Sequence, residues 1–394
     1  SYSKINMQNI GLSQLEVKST IIIFLIYMFR MLGIFMIFPI LSIFLSDYDG
    51  ATPFLIGIAL GIWGLTNAIF QIPLGILSDV IGRKKVILLG LVIFFIGSLV
   101  AANANDIMSV ILGRTLQGIG AIAGTLMALI SDVSSEKNRT MIMAFIGIGI
   151  GFSFFISFLL GPIIGHAFQL SGVFLAAAIF TLLSVILILF FPDGNETKLS
   201  TRFEFTEIKK LFRNKEIVNH FTGIFILHLI LTACFVAIPI TLTDIHDIAS
   251  NEYPQVFSFI LSMSLVVIIP MLIFERKKPE QARLLSTFLL LCSLVIMTIY
   301  YLNPIYTVLA LIIFMGSFSV IEASLPSSTS KIVPTHFRGS SMGFFSTFQF
   351  LGTFVGGVIG GIVLGSSSLS AIFLVCAIIA GIWFLTSFVQ MRFR

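Results

Sequence analysis

The chain has 394 residues, of which 57% are apolar and only 10% charged, with a formal net charge of +5 and a mean hydropathy of +1.07. No soluble globular domain has that little polar surface, so soluble enzymes and nucleic-acid binders are excluded and a polytopic membrane protein remains. The three cysteines, Cys234, Cys292 and Cys376, lie inside apolar runs without metal or redox spacing, so no disulfide, metal centre or cofactor is expected.

A helix needs about 20 apolar residues to cross a bilayer, and twelve runs of that order follow one another: 19–46, 53–78, 84–103, 106–132, 140–168, 172–191, 217–243, 253–274, 282–302, 304–331, 339–364 and 369–391. The polar residues 1–18 precede a first span that is too long, and lacks the cleavage site, for a removable leader. Residues 192–216 form the longest loop and divide the chain into six-span halves, 19–191 and 217–394. In that loop Thr201 and Glu204 stand at capping-box spacing ahead of Phe205, Ile208, Leu211 and Phe212, set among Lys209, Lys210, Arg213 and Lys215. This pattern predicts an amphipathic helix on the inner membrane surface. A weak internal repeat places Ser131 on Ser330, Arg139 on Arg338 and Gly161 on Gly360. The 41 phenylalanines read mainly as lipid-facing filler.

Charge sets the orientation. Of the 23 lysines and arginines, Arg30 and Arg114 lie inside spans and the others sit at the termini and in alternate loops. The opposite loops hold none and carry Asp47, Asp49, Asp106, Asp244, Asp247 and Glu252 instead. The positive-inside rule therefore places both termini in the cytoplasm.

The loop between the second and third spans, 75–88, packs Gly75, Asp79, Gly82, Arg83 and two lysines together. Gly75 and Asp79 share a helix face, and Asp79 stands at a helix C-terminus, where the macrodipole disfavours an anion. Asp132 ends the fourth span in the same predicament. Arg83 is placed to relieve both, and the N-terminal end of the eleventh span, from Gly339 through Ser340 to Gly343, offers Asp79 a second partner. The other reading of Asp132 is a solvated loop rim.

Gly75, Leu77, Asp79, Gly82, Arg83 and Lys84 match the signature G-x-L-x-D-[RK]-x-G-R-[RK] of the major facilitator superfamily, with Val80 where a base is usual. Arg114, Gln117, Gly118 and Gly120 are similar to the superfamily's fourth-helix motif, and Gly161, Pro162 and Gly165 to its antiporter motif, in which Ser157 and His166 replace glycines. Together with FRMLGIFMIFPIL, FQIPLGILSD, LQGIGAIAGTLMALISD and IEASLPS, these segments resemble the YajR-type drug:proton antiporters of that superfamily along essentially the whole chain. The resemblance implies an all-α membrane protein of twelve transmembrane helices in two six-helix bundles, the major facilitator fold. It implies a substrate site between the halves, alternating access, and a monomer in the bacterial inner membrane. That type carries a C-terminal cytoplasmic domain, which a sequence stopping at Arg394 does not include.

Charged side chains inside spans are functional candidates by default. Counting about 1.5 Å per residue from the cytoplasmic ends puts Arg30 and His228 about 16 Å deep, Glu322 about 13 Å, and Asn67 and Gln349 about 15 Å. With Gln71, Arg114 and Gln117 these residues form the expected substrate cavity. Glu322, His228 and Asp132 are the candidates for proton coupling, since burial opposes the charge of a carboxylate and makes its proton part of any cycle that exposes it. Glu322 is equally readable as a permanent ion-pair partner, His228 as a neutral interhelical hydrogen-bonder, and Arg114 as a lock between helices. No G-x-x-x-x-G-K-[ST] loop is present, so a gradient rather than ATP is the expected driving force. The five histidines, His166, His220, His228, His246 and His336, fall at different levels, which argues against a membrane-embedded enzyme. Proton-coupled efflux of amphipathic organic compounds is the expected function, with a proton-coupled importer or a uniporter of a specific metabolite as the alternative.

Overall fold

Without water to satisfy it, backbone inside a bilayer pairs within helices or closed barrels, and the described residues contain long helices and no strand. The structure is a computed structural model and describes residues 12–192, 209, 211–333 and 338–392. Its α-helices with fully described bounds are, in chain order, α1 (Gln14–Phe35), α2 (Leu41–Leu45), α3 (Pro53–Ile81), α4 (Arg83–Ala102), α5 (Ile107–Ile119), α6 (Ala123–Val133), α7 (Glu136–Leu189), α8 (Lys215–Ile240), α9 (Tyr253–Lys277), α10 (Pro279–Tyr300), α11 (Pro304–Ile332), α12 (Arg338–Ser366) and α13 (Leu369–Arg392). Most of the amphipathic segment expected at 201–215 lies outside the described residues. At its end Leu211 is buried, and Phe212 packs edge-on to Phe344 at 5.8 Å.

Helix starts follow local chemistry. Thr52 accepts from the Leu55 N–H ahead of Pro53, Asn214 and Asn303 cap α8 and α11 in the same way, and Asp106 caps α5 through the Ser109 N–H at 2.9 Å. The Ser109 hydroxyl also donates to Asp106 at 2.6 Å, and together these bonds hold its carboxyl below the usual carboxylate range. Gly82, between α3 and α4, has φ +103°, a conformation open to glycine and strained for other residues.

Two spans differ from uninterrupted helices. The fourth is broken at Gly120–Ile122 into α5 and α6. α7 is 54 residues long and turns back at Gln169, which has φ 58° and ψ −170°. Both its ends lie at the lysine-rich end of the molecule. The first is tied to Glu16, which accepts from the Ser135 N–H and hydroxyl at 2.9 and 2.7 Å and from Asn138 at 3.1 Å; the second approaches Lys84, whose Nζ donates to the Phe191 carbonyl at 3.4 Å. Eleven segments among the described residues are long and apolar enough to cross a membrane, and the double-length α7 makes twelve crossings. The helices before and after residues 193–214 form the two six-helix bundles.

The bundles meet most closely at the end bearing the acidic loops. A Cβ added to Gly57 would lie 2.1 Å from the Gly357 carbonyl oxygen, and one on Gly64 2.6 Å from that of Phe350, so α3 and α12 touch backbone to backbone. Beside them Phe38 packs on Phe235 at 6.1 Å and Phe158 on Phe257 at 5.1 Å, all four side chains buried. Some phenylalanines read as lipid-facing filler therefore seal the seam between bundles. Nearer the lysine-rich end the packing is looser: Cβ positions at Gly75 and Gly343 meet nothing within 4 Å. Gly57→Leu, which has no room against the Gly357 carbonyl, should hold the acidic end open. Disulfide cross-linking between cysteines placed at Phe38 and Phe235 should then fall well below that of the unsubstituted background.

Candidate functional site

Three helices of the second bundle bring one polar cluster together at mid-depth. Gln349 on α12 donates through Nε2 to Glu322 Oε1 on α11 at 2.9 Å and lies 3.0 Å from His228 Nε2 on α8. His228 Nδ1 is 3.2 Å from the Ile224 carbonyl, which only accepts, so Nδ1 carries the ring proton and Nε2 presents its lone pair to Gln349. Nε2 lies 3.7 Å from Glu322 Oε2. The Glu322 side chain keeps 35% of its surface exposed against 8% for His228, but its Oε2 is buried and has no hydrogen-bond partner among the described residues.

From the first bundle, Gln71 crosses to α12 and donates to the Gly343 carbonyl at 3.0 Å. Asn67 is buried, and its Oδ1 has no hydrogen-bond partner among the described residues. Arg114 and Gln117 lie away from the seam, inside the first bundle. The Arg114 guanidinium donates to the Ala59 and Leu60 carbonyls at 3.2 and 3.3 Å and to Gln117 at 2.9 Å, while Gln117 donates to Ser98 at 2.9 Å. This network joins α3, α4 and α5. Arg30 is buried on α1, with its guanidinium 5.8 Å from the centre of the Phe94 ring.

The second cluster lies at the lysine-rich end. Arg83 Nη1 is 2.5 Å from Asp79 and donates to Ser78 Oγ at 2.7 Å, while its Nε donates to Asp132 at 3.2 Å. Both carboxylates occupy the last turns of their helices, α3 and α6, so one guanidinium offsets two unfavourable dipole contacts. Asp132 therefore stands with Arg83 and apart from Glu322 and His228. The Cβ position of Gly75 meets nothing within 4 Å, so α3 has a bare face above this cluster. The side chains of residues 338–340, expected to approach Asp79, lie outside the described set. Ser78, absent from the expected site, is the serine of the signature loop and sits where it can read Arg83. Tyr27, also absent from it, donates to the Ala123 carbonyl across the break in the fourth span; its three-residue spacing from Arg30 was the available signal.

Removing the shared cation isolates two anions. Arg83→Gln should cost about 1–2 kcal/mol, the partial exposure of Asp79 reducing the value, and should lower the thermal midpoint in detergent. In a cycle with Asp79→Asn the two effects should be clearly non-additive; additive losses would mean that the contact carries no energy.

The sequence model described as Major Facilitator Superfamily matches residues 23–279 and 280–393. The chain is 37% identical over 364 residues to the inner membrane transport protein YajR of Escherichia coli strain K12, covering 91% of this chain and 80% of that protein. It is 31% identical over 179 residues to the class H tetracycline resistance protein of Pasteurella multocida, covering 45% of each. Among solved structures, a bacterial homologue of the human lysosomal transporter Spinster superimposes with a TM-score of 0.77 at 13% identity, over 98% of this chain and 99% of that one.

Proposed function

The chain belongs to the major facilitator superfamily, and from that premise we propose that it is a proton-coupled antiporter that exports amphipathic organic compounds, drugs among them, across the bacterial inner membrane. Its ligands are a small organic solute and protons, and it works as a monomer with both termini in the cytoplasm. The observation that carries the reading is the Glu322 carboxylate at mid-depth, joined by Gln349 to His228, with its Oε2 buried and unpartnered among the described residues.

In the proposed cycle the carboxylate first meets the lysine-rich, cytoplasmic side. There it gives up its proton and takes a solute, best a cationic one. When the bundles rock, the acidic end opens and the more acidic exterior returns a proton to Glu322, which displaces the solute. The neutral carboxyl then makes the return of the empty carrier cheap, because burying a charge in the closed centre is costly. Asp79, Arg83 and Asp132 brace the cytoplasmic ends of α3, α4 and α6 during this motion. Efflux is favoured by the similarity to the tetracycline resistance protein.

Glu322→Gln should abolish pH-gradient-driven accumulation of a lipophilic cation such as ethidium in everted vesicles and leave downhill exchange partly intact. Uphill transport with an unaltered pH profile would place the proton elsewhere. Orientation has its own check: a cysteine at Asn251 should react with an impermeant maleimide in intact spheroplasts, and one at Lys278 only after permeabilisation. The reverse pattern would invert the direction of transport.

A further inference from the structure

The break in the fourth span leaves a helix N-terminus in the middle of the first bundle. α6 begins at Ala123, its N-cap Ile122 supplies no side-chain hydrogen bond, and the amide groups of its first turn have no partner within the helix. Gly124 in that turn is exposed, and the space beside its Cα holds only Gln71 Cγ at 4.0 Å, so the turn opens onto the interior space. Thr125 in the same turn is buried with its hydroxyl unpartnered among the described residues.

Arg30 stands before this turn. Tyr27, three residues earlier on the same face of α1, donates to the Ala123 carbonyl, which fixes the height of that face against the start of α6. One turn further along, Arg30 lies over Phe94, the residue whose Cβ lies 3.1 Å from the Cβ position of Gly120 in the break. Arg30 is 3% exposed, and its Nε and Nη1 are buried without a hydrogen-bond acceptor among the described residues. A buried guanidinium facing the positive end of a helix is doubly unfavourable unless an anion lies between them. Arg114, in the same bundle, takes two backbone carbonyls and a glutamine. Arg30 takes none.

We propose that Arg30, the first-turn amides of α6 and the Thr125 hydroxyl form a binding site for the carboxylate of a small organic anion. A guanidinium and two or more convergent N–H groups are the donor set that such a group requires. The site opens onto the interior space at Gly124, so its ligand is cargo or a competitor of cargo. In that respect alone the proposal rests on the transport reading.

The experiment is isothermal titration of the purified full-length chain in detergent with benzoate, and with benzamide as the neutral isostere. Benzoate should bind at least about tenfold more tightly than benzamide. Arg30→Met should remove that preference by weakening benzoate alone, and Arg30→Lys, which keeps the charge, should restore part of it. Gly124→Val, which fills open space rather than a packed contact, should block benzoate and carries the test if Arg30→Met does not yield a monodisperse protein. Equal affinity for benzoate and benzamide, or benzoate binding unchanged by whichever variant folds, would overturn the proposal. The titration contains no pH gradient, so failure of Glu322 to carry the coupling proton would leave its result unaffected.

Discussion

The two bundles are joined at their acidic end by close backbone contact between α3 and α12. Along α3 and α12, glycines at 57, 61 and 64 meet the main chain of residues 350–361 so closely that the positions of absent methyl groups overlap carbonyl oxygens. In a bilayer, where lipid is as apolar as leucine, attraction between helices comes from such close packing rather than from expulsion of water. The contact is short-ranged and loses strength steeply with separation, so it favours two discrete arrangements, packed or parted. The aromatic seam of Phe38, Phe158, Phe235 and Phe257 lies beside it and is governed by the same closure.

The polar groups divide according to whether the protein satisfies them. Arg114 consumes carbonyls of α3 and ties its bundle into a rigid body, as does Arg83 with its two carboxylates. Gln71 and Gln349 both involve α12, the helix that also forms the glycine contact. α12 thus couples a mid-membrane carboxylate to the packing at the acidic end. A change at Glu322 alters a hydrogen bond on that helix, which gives local chemistry a physical route to the arrangement of the bundles.

Much of this was legible in the residues. Composition and twelve apolar runs specify the fold class, and caps such as Thr52, Asn214 and Asn303 mark helix starts within a few residues. The spacing of Gly75, Asp79, Gly82 and Arg83 brings a base to two acids because it is local to one turn and one helix end. Counting residues along each span placed Glu322, His228 and Gln349 at one level, since rise per residue is nearly constant in a helix. Depth carries no azimuth, however. Arg30 and Arg114 both turn into the first bundle, which only the packing decides. The interruption at Gly120–Ile122 was hidden because its residues are as apolar and small as those of an unbroken span, whereas the reversal at Gln169 falls between the runs 140–168 and 172–191 that the sequence already separates.

The clasp at Glu16 bears on how the chain is made. Its carboxylate takes donors from Ser135 and Asn138, residues that follow it by 119 and 122 positions. During synthesis the first span is complete long before those donors have emerged from the ribosome. Until then Glu16 has only the Ser13 amide of its own turn and must remain hydrated at the membrane surface. The first helix is therefore pinned at a shallow depth while the next three insert, and settles only when the start of α7 arrives to cover its acid. Order of assembly is thus written into a single side chain at the threshold of the bilayer.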